Sequence, residues 1–185
     1  LQTFGGELTN KLRDYKSSHP DPETAKELFN NCKEVVSDRS VDDIERAAAF
    51  YIVNKCSFSG LTESSSFSKQ ASNSNFSMRG IEKLPEYSEL ISHWHINQYS
   101  YEYLMRENVH DGIFMYLDPP YEIKVPIYGK RGAMHKYFDH DKFAEDCNKS
   151  KISMMISYNS SQIIKDRFKD WKVAEYDLTY SMRTT

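Results

Sequence analysis

Apolar residues recur every three or four positions through the first third of the chain, with charged residues between them. Phe4, Leu8, Leu12 and Tyr15 share one helical face. Asp21-Pro22-Glu23 then supplies a helix start: an N-cap, a proline in the first turn where its missing N–H costs nothing, and an acid at the positive helix end. Leu28, Cys32, Val35 and Val36 continue as a buried stripe. Ser40-Val41-Asp42-Asp43 reads as a capping box ahead of Ile44, Ala47, Ala48, Tyr51 and Ile52. The spacing therefore predicts three helices by residue 55. Between Ser57 and Ser77 the periodicity breaks: nine of these 21 residues are Ser, which reads as a loop or irregular hairpin. Phe58, Leu61, Phe67 and Phe76 give that segment apolar anchors which a plain linker would not need. A short helix follows over 85–94.

From residue 95 the pattern changes to short apolar runs separated by helical ones. Ile113-Phe114-Met115-Tyr116-Leu117 and Ile152-Ser153-Met154-Met155-Ile156 have strand length. Asp139–Cys147 and Ser160–Phe168 read as helices, and Trp171–Tyr176 as a third strand. Strands alternating with helices predict a largely parallel sheet covered on both faces. Function in such sheets gathers just beyond the carboxyl ends of the strands, here at Asp118 and at Ser157-Tyr158-Asn159.

Composition narrows the function classes. Ten Phe, 13 Tyr and 2 Trp in 185 residues are too many for a disordered chain. No run of 18 apolar residues is present to span a membrane, and no secretory signal pattern opens the chain. Three cysteines, Cys32, Cys56 and Cys147, cannot all pair and form no Cys-x-x-Cys. They argue against a zinc ribbon and for a reducing compartment. His93-Trp94-His95 lacks a third ligand, so no metal is expected. The net charge of −3 does not mark a nucleic-acid binder, so any such role must rest on local patches. Two exist. Lys124, Lys130, Arg131 and Lys136 face a single acid, Glu122, within 122–136. Lys55, Lys69, Arg79 and Lys83 outnumber Glu63 and Glu82 within 55–83.

The most specific motif is Asp118-Pro119-Pro120-Tyr121, which directly follows the apolar run 113–117. Two prolines fix φ and remove two N–H groups, so the loop is rigid. With Tyr116 and Leu117 in front, the stretch resembles the catalytic motif of the Dam-like (D12 class) DNA adenine-N6 methyltransferases. Asn54-Lys55-Cys56-Ser57-Phe58-Ser59-Gly60-Leu61 is similar to the segment opening that family's target-recognition insert. Met155-Ile156-Ser157-Tyr158-Asn159 resembles its next strand, and Tyr180-Ser181-Met182-Arg183 its late hairpin. The resemblance implies an α/β fold: a partial Rossmann-like methyltransferase sheet formed by 1–19 and 95–185, with 20–94 as a helical and irregular target-recognition insert. It also implies S-adenosylmethionine as methyl donor, double-stranded DNA as partner and a site-specific adenine methylation activity of the restriction-modification type. A bacterial or phage-like cytoplasmic setting follows, with no metal and no membrane.

On that resemblance the catalytic residues are Asp118, Pro119, Pro120 and Tyr121, with Asp118 and Tyr121 also touching cofactor. Lys55, Arg79, Lys124, Lys130 and Arg131 are the candidate DNA contacts. The family places a Phe-x-Gly-x-Gly loop and a ribose-binding acid ahead of these motifs. None of the seven glycines here has Gly-x-Gly spacing, and the chain opens on Leu1 within a helical pattern. The expectation is a piece of a longer protein that alone binds cofactor weakly and is a monomer or an edge-paired dimer. Asp at position 118 favours adenine over cytosine N4, where Ser is usual, and over protein glutamine, where Asn is usual. An RNA base as acceptor, or a catalytically inactive DNA-binding remnant, are the alternatives.

Overall fold

A computed structural model describes residues 1–60, 65–107, 110–122 and 137–177. They fall into two compact units, Leu1–His95 and Ile96–Thr185.

The first unit is helical: α1 (Gly5–Ser18), α2 (Pro22–Ser37), α3 (Asp43–Cys56), α4 (Lys69–Ser74), α5 (Met78–Glu82) and α6 (Leu84–Leu90). The Asp21 carboxylate accepts from the N–H groups of Glu23 and Thr24, which fixes the start of α2 as expected. For α3 the cap is Asp42, which accepts from Ile44 and Glu45. Ser40 instead turns back, its hydroxyl donating to Asp38 Oδ1 at 2.6 Å. Leu8, Leu12, Leu28, Phe29, Ala48, Ile52, Val53, Phe76 and Ile81 form the core, so α1, α2 and α3 turn inward the faces read from their spacing, with Phe4 left exposed, and α5 adds Ile81.

The Ser-rich segment is more ordered than its composition suggests. One antiparallel bridge joins Ser57 and Phe67, and two serines become helix caps: Ser68 accepts from Ala71 N and Ser77 from Gly80 N. Phe67 and Phe76 are the anchors of this segment. Phe58 is exposed instead, and Leu61 lies outside the described residues.

The second unit contains α7 (Tyr101–Glu107), β1 (Phe114–Leu117), α8 (His140–Lys149), β2 (Ser153–Ile156) and α9 (Gln162–Arg167). β1 and β2 are parallel neighbours in the register Phe114↔Ser153, Met115↔Met154, Tyr116↔Met155 and Leu117↔Ile156. Asp139 caps α8 by accepting from Lys142 N at 2.8 Å, and Ser161 caps α9. Met115, Leu117, Met154 and Ile156 point to one face, where Phe143, Ala144, Cys147, Ile164 and Phe168 cover them.

Two expectations change here. The sheet was expected to be covered on both faces. Among the described residues helices cover one, and the other leaves Phe114 62%, Tyr116 56% and Met155 54% exposed. A continuous apolar run fixes strand length but not which of its two faces finds a partner. Residues 172–177 are not a strand either. Side chains hold the segment instead: the Ser160 hydroxyl and Lys165 Nζ both donate to the Glu175 carboxylate, at 2.5 and 2.8 Å. Trp171 Nε1 donates to Asn148 Oδ1 at 2.6 Å.

Candidate active site

Parallel pairing brings the carboxyl ends of β1 and β2 to the same edge. Ser157 N–H donates to Leu117 O at 3.0 Å, extending the ladder one step past the strands. The next residue of β1's exit is Asp118, and the first of β2's exit is Ser157. Their side chains meet: the Ser157 hydroxyl donates to Asp118 Oδ1 at 2.5 Å. Tyr116, two residues earlier on the same face as Asp118, donates its hydroxyl to Ser157 Oγ at 3.1 Å. A relay Tyr116→Ser157→Asp118 therefore runs across the strand ends. Asp118 is exposed, Pro119 buried, and Pro120 and Tyr121 half-buried. Among the described residues Asp118 forms no ion pair, so a neutral hydroxyl orients its carboxylate without offsetting its charge.

The loop's far end is held as well. Glu122 N–H donates to Asn159 Oδ1 at 3.0 Å, and Asn159 Nδ2 donates to Glu122 O at 3.3 Å. The Glu122 carboxylate pairs with Arg167 Nη1 at 2.5 Å, and Arg167 Nε donates to Asp141 Oδ1 at 2.7 Å. Behind the strand ends lies an aromatic cluster of Tyr101, Phe138, Phe143, Tyr158 and Phe168. Within it, His140 Nδ1 and the Tyr158 hydroxyl share a hydrogen bond. Burial pushes the Tyr158 phenol well above its ordinary range and holds His140 below its own. Tyr101, half-buried and donating to Asp146, is pushed up to about 12.

A family model, D12 class N6 adenine-specific DNA methyltransferase, matches residues 7–182. The chain belongs to that family. No curated protein matches it. In this D12 methyltransferase the motif Asp118-Pro119-Pro120-Tyr121 sits where strand ends place chemistry in α/β proteins. Sequence reasoning singled out the exit of β2 but gave no role to Ser157, Asn159, Glu122 or Arg167. The available signal was that polar residues follow directly on an apolar strand.

The cysteines offer no second chemistry in the methyltransferase. Burial pushes the thiols of Cys32, Cys56 and Cys147 up to about 12, where they stay protonated. No group of three potential metal ligands occurs among the described residues, and none of their helices is long and apolar enough to cross a membrane.

Of the candidate DNA contacts, Lys55 and Arg79 are in the helical unit. Lys55 Nζ lies 5.7 Å from the Tyr51 ring centroid, and Lys16 Nζ lies 5.0 Å from that of Phe76. The two rings are 6.5 Å apart. A Cβ on Gly80 would come within 3.2 Å of the Tyr51 hydroxyl, so α5, with exposed Arg79 beside that glycine, packs against the same tyrosine. Lys16 and Lys55 thus lie over one aromatic pair, and Arg79 is exposed on the helix that packs against it. Lys124, Lys130 and Arg131 lie outside the described residues, as does the stretch 180–183.

Proposed function

We propose that the chain transfers a methyl group from S-adenosylmethionine to the N6 amine of adenine in double-stranded DNA, with Asp118 as the residue that activates the amine. The observation that carries this reading is the exposed Asp118 carboxylate, oriented by Ser157 at the shared carboxyl end of two parallel strands. An exocyclic amine is a poor nucleophile because its lone pair is delocalised into the ring. Asp118 and the Pro119 carbonyl accept hydrogen bonds from the N6 hydrogens, drawing the nitrogen toward tetrahedral geometry and freeing the lone pair. Pro119 and Pro120 fix the backbone beforehand, which is electrostatic preorganisation. Tyr121 offers its ring as a stacking face for a flipped base.

The donor set suits a sulfonium cofactor: the exposed Asp118 carboxylate has no ion-pair partner among the described residues. When bound, that cofactor supplies an already activated methyl electrophile. Asp118 and Tyr121 are assigned to its contact. The chain's own work is then to position the acceptor.

DNA binding is assigned to the helical unit through Lys55 and Arg79, joined by Lys16, and to Lys124, Lys130 and Arg131 on the charge balance of their segment. In the domain assignment proposed, 1–19 and 95–185 form the catalytic part, a partial Rossmann-like sheet, and 20–94 is the recognition insert. α1 packs within the helical unit, on α3, α5 and α6. The test is product analysis. Duplex DNA incubated with the protein and S-adenosylmethionine, then digested to nucleosides, should contain N6-methyl-2′-deoxyadenosine. N4-methyl-2′-deoxycytidine in its place would overturn the acceptor. DNA binding with no methylated base would make the chain a silent DNA-binding remnant.

A further inference from the structure

Two residues of the motif loop can give no backbone donor. Pro119 and Pro120 have no N–H to donate, and the strand ladder ends at Leu117 O, which accepts from Ser157 N–H. Among the described residues β1 has one strand neighbour, β2. Where Pro119 O and Tyr121 point depends on how the two ends of the loop are held. The first residue beyond the motif, Glu122, is held at three atoms. Its N–H donates to Asn159 Oδ1 at 3.0 Å, its carbonyl accepts from Asn159 Nδ2 at 3.3 Å, and its carboxylate meets Arg167 Nη1 at 2.5 Å.

A primary amide satisfying both the N–H and the C=O of one residue reproduces what a neighbouring strand would do, at the point where the sheet has stopped. Arg167 is suited to the third contact because its side chain is only 16% exposed and its planar fork reaches two carboxylates. The second of these, Asp141 Oδ1 at 2.7 Å, belongs to the first turn of α8. Glu122 is thereby tied to both helices that cover the sheet. Ser157 and Asn159, two residues apart after β2, grip the two ends of Asp118–Glu122.

We infer that Asn159 and Arg167 are positioning residues for methyl transfer, holding the far end of the motif loop through the backbone and carboxylate of Glu122. This rests on the reading of Asp118–Tyr121 as the catalytic loop. Neither residue touches the reacting atoms. Their effect is on the aim of the Pro119 carbonyl and of Tyr121, where a displacement of about 1 Å costs on the order of 100-fold in rate.

The test uses the whole chain, wild type against Asn159→Ala and Asn159→Ser, the latter too short to span both backbone groups of Glu122. Two readouts are taken: single-turnover methyl transfer to duplex DNA with separate measurement of DNA affinity, and amide hydrogen exchange. In both variants the rate should fall about tenfold or more, with the dissociation constant for DNA within about twofold of wild type. Exchange at Glu122 N–H should accelerate about tenfold while Ser157 N–H, donating within the sheet, stays protected. A wild-type rate in an active protein would overturn the inference, as would unchanged exchange at Glu122. Loss of Ser157 protection in both variants would overturn it too, since Asn159 would then hold the sheet rather than the loop. If neither wild type nor variant methylates DNA, the proposed function fails, and exchange at Glu122 alone decides whether Asn159 holds the loop.

Discussion

Replacing Ser157 with Ala removes one oxygen from the active site and leaves the sheet intact. Ser157 N–H still donates to Leu117 O, and the side chain contributes to no core. What is lost is the donor to Asp118 Oδ1 at 2.5 Å and the acceptor for the Tyr116 hydroxyl at 3.1 Å. A hydrogen bond to a charged group contributes about 1.5–3 kcal/mol when sheltered. Asp118 is exposed, so water takes up part of the loss, and about 1 kcal/mol is the appropriate magnitude. That corresponds to a fall of about fivefold in the rate of methyl transfer. Tyr116→Phe, which leaves the Ser157–Asp118 bond in place, should cost less than about twofold. Single-turnover transfer of labelled methyl groups measures both variants, with DNA affinity and thermal unfolding as controls that should not move. A double-mutant cycle with Asp118→Ala isolates the pair: once the accepting side chain is gone, Ser157→Ala should have no further effect. A wild-type rate for Ser157→Ala, or a fivefold loss that persists in the Asp118→Ala background, would refute the relay.

Three further outcomes follow from the two units. Lys55→Ala and Arg79→Ala should each weaken DNA binding and reduce the slope of log affinity against log salt by about 0.9, measured by fluorescence titration across salt; an unchanged slope would remove that residue from the interface. Phe143→Ala, emptying the centre of the aromatic cluster under the sheet, should destabilise the second unit by about 3–5 kcal/mol in denaturant unfolding. His140 is held below its usual value of 6.5 by burial, against Glu122, Asp139 and Asp141, which favour its charge, and Arg167, which opposes it. The unfolded chain therefore binds the proton first, and stability should fall as pH drops below about 6.5 and level off beneath the folded value. Melting curves of His140→Gln should lack that step.

Much of the site's location was legible because its signals are local. An apolar run followed by Asp-Pro-Pro-Tyr announces a strand end and a rigid loop, and Asp21 and Asp139 announce helix starts that the structure contains. The partners of that loop were not legible. Ser157, Asn159 and Arg167 reach Asp118 and Glu122 across 37 to 45 residues of chain, and no periodicity encodes which polar side chain a parallel register brings alongside. Composition misled at two places. Serine favours loops and also caps helices, so Ser68 and Ser77 start α4 and α5 inside a stretch that reads as irregular. Trp171–Tyr176 has strand-like residues but no ladder partner among the described residues, and Glu175 and Trp171 are held by side chains instead. Asp42 took the cap that Ser40 was expected to fill because Ser40 is engaged by Asp38.

The central claim is that the Asp118 carboxylate activates the adenine amine. It is tested most directly by single-turnover methyl transfer from S-adenosylmethionine to a DNA duplex, comparing wild type with Asp118→Ala. Removing a charged group aimed at the reacting centre costs several kcal/mol of barrier, so the rate should fall by on the order of 100-fold or more. DNA affinity should be largely unchanged, because the phosphate contacts are assigned to basic residues elsewhere. Near-normal transfer by the Asp118→Ala protein would mean that Asp118 only shapes the turn after β1, and would contradict the account.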